Sequence, residues 1–200
     1  MLLLFTNVVG ALVKRVKLVM KTFGADTNIL RELSLSEAFL FRSAQPAGDF
    51  NLVYTFFVEI LDENLKRSGL NDKLKLCLQI LMKRHPLLRA CVRQQPHSQP
   101  PRYFFCEIQP TTDSDVTPQL STDESSDWQK VMTSLVTQPF HVDKEQPLWT
   151  VIYMPNVSPP FGTEAGCTDL VALLFRFSHT IVDGQGQSSL IYGIVFKLSF

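Results

Sequence analysis

The chain has 200 residues, 45% of them hydrophobic, with 19 basic and 19 acidic side chains. That length is enough for one domain with a real core and marginal for two. A formal net charge of zero gives no electrostatic footprint for nucleic acid, and short basic runs such as Lys14-Arg15 and Lys83-Arg84 read as solvated faces.

The first segment, "MLLLFTNVVGALVKRVKLVMK", is apolar from Met1 to Val13 and basic afterwards. The apolar run falls short of the ~20 residues that cross a bilayer. Its charge follows the run, whereas a secretory signal places the charge first. Residues 1–29 are therefore read as a separate apolar and basic segment, packed or frayed, with a peripheral membrane anchor as the alternative. Residues 30–200 are read as the globular part.

In "LSLSEAFLF", Ser34 stands three residues before Glu37, the capping-box pattern that opens a helix. "FNLVYTFFVEI" alternates, with Phe50, Leu52, Tyr54, Phe56, Val58 and Ile60 on one side, and predicts a strand. A helix starts at Asn71 or Asp72 and carries Leu74, Cys77, Leu78 and Leu81 as its core stripe. It stops at "KRHP", because Pro86 disfavours helical geometry at His85.

"LLRACVRQ" and "RYFFCEI" predict two strands across the turn-rich "QPHSQPP". The polar stretch that follows, "QPTTDSDVTPQLSTDESSD", reads as a surface excursion. Asp127 is an N-cap candidate for a helix with Trp128, Val131, Met132 and Leu135 inward. "PLWTVIYMP" is a further strand, and the nearly all-apolar "DLVALLFRFS" predicts a central strand covered on both faces. Helices interleaved with strands make the class α/β. The last ten residues, "IYGIVFKLSF", carry no helix-terminating signal or polar tail, so the chain reads as cut short.

The four cysteines, Cys77, Cys91, Cys106 and Cys167, contain no C-x-x-C pair, and three sit among apolar residues. They predict buried free thiols in a reducing, cytoplasmic compartment rather than a disulfide framework.

The stretch that asks for chemistry is "FRFSHTIVDGQG", where a buried strand runs into His179 and then Asp183 and Gly184. A side chain at the carboxyl end of a central strand meets a crevice. A neutral imidazole there can accept a proton near neutral pH. Gly184 supplies the backbone freedom for a tight turn, and Asp183 can pin the loop to a cation or to backbone amides. The bland alternative is a strand-end histidine hydrogen-bonded to the backbone, followed by an ordinary Asp-Gly turn.

Other chemistries fit less well. A metal site needs three or four ligands, and His85, His97 and His141 follow no ligand spacing. A triad through Ser178 fails because adjacent strand residues point to opposite faces. "GQGQSS" mimics a dinucleotide loop, but its third small position is serine and too little chain follows for the second strand and its acid.

Four segments in order, "LSLSEAFLF", "LMKRHPLLRACV", "QPFHVDKEQPLWTVIYM" and "FSHTIVDGQGQSSLI", resemble the chloramphenicol-acetyltransferase-like acyltransferase superfamily. That group includes condensation domains, alcohol acyltransferases and wax-ester synthases. The last segment carries the H-x-x-x-D-G signature as His179, Asp183 and Gly184; Ser178 stands where some members have a second histidine.

The resemblance implies an α/β fold, a mixed β-sheet flanked by helices, forming the N-terminal lobe of a two-lobed architecture. It implies acyl transfer from a thioester to a hydroxyl or amine, with His179 as general base. Asp183 and Gly184 would form the loop scaffold, with Arg89 the candidate salt-bridge partner of Asp183. It implies no bound cofactor and no metal. Acyl-coenzyme A or a phosphopantetheine thioester would be co-substrate, the latter delivered by a carrier protein. Because the second lobe would supply the opposite wall, the 200-residue chain is expected to be inactive alone. The competing expectation is a non-catalytic binding module that retains the lobe.

Overall fold

The computed structural model describes residues 28–45, 51–60, 69–108, 120–140, 145–158 and 170–181. Seven strands and three helices run through them in the order β1 (Ile29–Glu32), α1 (Leu35–Ala44), β2 (Asn51–Glu59), α2 (Leu70–Arg84), β3 (Ala90–Gln94), β4 (Tyr103–Glu107), β5 (Leu120–Thr122), α3 (Trp128–Thr137), β6 (Trp149–Met154) and β7 (Leu170–Ser178).

The local signals in the sequence account for most of these elements. At α1 the Glu37 amide donates to Ser34 Oγ at 3.3 Å, and Glu37 Oε2 accepts from the Ser34 amide at 2.7 Å. Two otherwise unpartnered groups of the first turn are thereby satisfied. Arg31 holds the same carboxylate at 2.6 and 2.8 Å. In α2 the predicted stripe of Leu74, Cys77, Leu78 and Leu81 is buried, joined by Leu70 and Met82. The helix ends at His85, extended at φ −120°, ψ 97°, as the residue before a proline should be. Asp127 caps α3 by accepting from the Lys130 amide at 2.9 Å.

Three departures stand out. Leu87–Arg89 is not strand: Pro86 opens one turn of 3-10 helix, Pro86–Arg89, before β3 begins at Ala90. The polar excursion contains β5, which pairs in parallel with Val151–Tyr153 of β6. Strand β1, a short edge, pairs with β4.

The strands form two sheets. One is antiparallel, in the order β1-β4-β3; the other is mixed, in the order β2-β7-β6-β5. The main core lies between them, with Phe41 of α1, Leu74 and Leu78 of α2, Val92 and Phe105 of the first sheet, and Leu173, Phe175 and Phe177 of β7. On the far face of the mixed sheet, Ala172 and Leu174 pack against Leu135 and Trp128 of α3. All nine residues of β7 are buried, which explains its nearly unbroken apolar run.

Cys77, Cys91 and Cys106 are buried free thiols; Cys167 lies outside the described residues. None of the described helices is long and apolar enough to cross a membrane.

Candidate functional site

His179 sits where β7 leaves the sheet. The strand is locked on both sides, by Asn51–Glu59 of β2 and by Trp149–Met154 of β6. Beyond the ladder, the Ser178 amide still donates to Leu148 O at 2.9 Å.

The chain then turns at once. Ser178 Oγ accepts from the Thr180 amide at 3.3 Å and donates to Thr180 Oγ1 at 3.0 Å, while the Ile181 amide reaches back to Ser178 O at 3.2 Å. A serine closing such a turn with its own hydroxyl competes successfully with the strand ladder. Its consequence is positional. Ser178, Thr180 and Ile181 are buried, and His179 alone of residues 170–181 is half-buried. Among the described residues nothing hydrogen-bonds its ring. The imidazole is thus half-buried where the strand ends.

The Ser178 hydroxyl is taken up by Thr180, so it offers nothing to a Ser-His relay. Among the described residues no group of three His, Cys, Asp or Glu side chains could hold a metal ion. Asp183 and Gly184 lie outside the described residues, and with them the expected pairing to Arg89.

Arg89 itself is well placed structurally. Its Nε and Nη2 donate to Glu107 Oε1 at 3.0 and 2.8 Å. Its Nη1 donates to Met82 O and, at 3.3 Å, to Lys83 O, two carbonyls of the last turn of α2. A cation at the negative end of a helix is favourable, and here it also ties α2 to β4. The "RHPLLR" turn is fastened to the mixed sheet by Trp149, whose Nε1 donates to Leu88 O at 2.8 Å.

A further residue, Arg176, carries a signal that sequence reasoning passed over: a lone charge inside the apolar run "LLFRFS". It is only 5% exposed. Its guanidinium lies 3.8 Å from the centroid of the Phe140 ring, and Nη1 donates to Gln138 Oε1 at 2.8 Å. Burial lowers its pKa to about 10.

No protein-family model and no curated protein matches the sequence. The fold does match solved structures. It is similar to the condensation domain from Monacolin K polyketide synthase MokA, with a TM-score of 0.59 at 11% identity over 86% of this chain and 35% of that one. It is similar to the starter condensation domain of rhizomide synthetase RzmA, with a TM-score of 0.54 at 14% identity over 84% of this chain and 36% of that one. A third likeness is to F. graminearum TRI101 complexed with coenzyme A and T-2 mycotoxin, with a TM-score of 0.54 at 10% identity over 86% of this chain and 39% of that one. The chain thus spans little more than a third of the length of the structures it matches. Its fold is one lobe of the chloramphenicol-acetyltransferase-like architecture, α/β with a mixed sheet flanked by helices.

Proposed function

We propose that the chain is the histidine-bearing lobe of an acyltransferase that moves an acyl group from a thioester to a hydroxyl or amine. The observation that carries this reading is His179, half-buried and free of hydrogen bonds to the described residues, at the end of a fully buried strand. The fold likeness supports it, since one of the similar structures holds coenzyme A and a variant of the RzmA domain holds C8-CoA.

In the proposed reaction a ring nitrogen of His179 takes the proton of the acceptor as its oxygen or nitrogen attacks the thioester carbonyl. The new C–O or C–N bond forms, the C–S bond breaks, and the leaving thiolate recovers the proton from the imidazolium. General-base catalysis of this kind contributes roughly 10²–10⁴ in rate. Asp183 and Gly184 shape the loop that aims the ring. The donor is acyl-coenzyme A or a carrier-bound phosphopantetheine thioester. The opposite wall of the site comes from a second lobe, so these 200 residues assayed alone are predicted to give no turnover.

The test is product stoichiometry. The full-length protein is incubated with an acyl-coenzyme A series and a panel of alcohols and amines. Equal amounts of free thiol and acylated acceptor support the reading. Thiol released only as hydrolysis, or acyl-coenzyme A bound without any turnover, overturns it in favour of a binding module.

A further inference from the structure

Among the described residues, Arg176 is a buried cation without a compensating anion. It stands on the α3 face of β7, opposite Thr150 of β6 and Val53 of β2. Among those residues its one polar partner is the neutral Gln138 amide and its buried Nε has no hydrogen bond, while Phe140 covers one face of its guanidinium. Among the described residues no carboxylate reaches it. Burying an unpaired charge is costly, and a guanidinium's remaining edge is a preformed fork for a carboxylate.

The space that edge could use is present. A cavity of about 290 Å³ opens beside Arg176, walled by Ser121 of β5, Gln138, Phe140, Gln146, and Trp149 and Thr150 of β6. This is at the lower end of small-ligand pocket sizes. The single cation beside the cavity matches one negative charge; a dianion would leave an excess of the opposite sign. The Ser121 hydroxyl and the Gln138 and Gln146 amides around it suit a polar ligand rather than a bare alkyl chain.

We propose that this cavity is a binding site for a small hydroxylated monocarboxylate, held through its carboxylate by Arg176 and through its hydroxyl by the Ser121 and Gln146 side chains. The site faces α3, on the side of the sheet away from the main core. It stands or falls separately from acyl transfer, because its test reads binding and not turnover.

Binding is read by isothermal titration calorimetry. Lactate is titrated as the probe, with propionate and sodium chloride at matched ionic strength as controls. Saturable change with lactate in the millimolar range, weaker binding of propionate and no saturation with chloride are expected. Arg176→Gln should weaken lactate binding at least tenfold. A second measurement guards against misfolding of that variant: lactate should raise the Tm of the unsubstituted chain more than chloride does. No saturation with lactate, an equal response to chloride, or unchanged lactate binding in a folded Arg176→Gln variant overturns the proposal.

Discussion

The indole Nε1–H of Trp149 donates to the Leu88 carbonyl at 2.8 Å, joining the mixed sheet to the 3-10 turn that precedes β3. Both residues are buried, so neither group has water as an alternative partner. Trp149→Phe keeps the ring packing near Phe177 but leaves the Leu88 carbonyl without its donor. A loss of about 1–3 kcal/mol is expected in urea denaturation, the cost of one unsatisfied buried group.

Glu37 is held by Arg31, the largest influence, and by the Ser34 amide and hydroxyl, which together lower its pKa to about 2 from an ordinary value of 4.5. A depressed folded-state pKa contributes stability that is fully present above the unfolded value and lost as pH falls through the folded one. Stability should therefore decline as pH drops from about 4.5 towards 2. The side chain is partly exposed, so the effect is modest. In Glu37→Gln, denaturation midpoints measured across this range should fall less steeply than in the unsubstituted chain.

Cys91 and Cys106 face each other across β3 and β4. Burial pushes both thiols up, Cys106 to about 12 with the neighbouring Cys91 adding to the effect. The thiolate is the reactive form. Iodoacetamide at pH 8 should leave both unmodified in the native chain and alkylate both in denaturant, as read by mass spectrometry. Rapid native labelling of either would contradict their placement.

Ser178 makes the turn that presents His179, and its hydroxyl also satisfies that of Thr180, which is only 3% exposed. Ser178→Ala leaves the Thr180 side chain without its donor. A loss of about 1–3 kcal/mol is expected by thermal or urea denaturation.

Much of this was legible because single residues carried unambiguous local physics. Ser34 with Glu37, Asp127 before Trp128, and Pro86 after His85 are short-range signals that no tertiary contact needed to override. The stripe Leu74, Cys77, Leu78, Leu81 and the unbroken apolar β7 declared their faces by period alone. The short strands were not legible, since Ile29–Glu32 and Leu120–Thr122 exist only through their neighbours in space.

The division into two sheets likewise depends on which strands pair, and no period in the sequence encodes that. His179 was singled out from its place at a strand end. What the sequence could not show was that the Ser178–Thr180 turn leaves it half-buried between buried neighbours. Arg176 was written plainly in "LLFRFS", but a charge in an apolar run says nothing of the cavity beside it.

In the proposed reaction the His179 ring takes the acceptor's proton. The direct measurement is the rate of acceptor-dependent thiol release from acyl-coenzyme A by the full-length protein and by its His179→Ala variant, with melting temperatures measured for both. The expected rate is lower by roughly 10²–10⁴ in the variant at an unchanged melting temperature. A variant that keeps the rate, or an unsubstituted protein that releases no thiol with any acceptor, would contradict it.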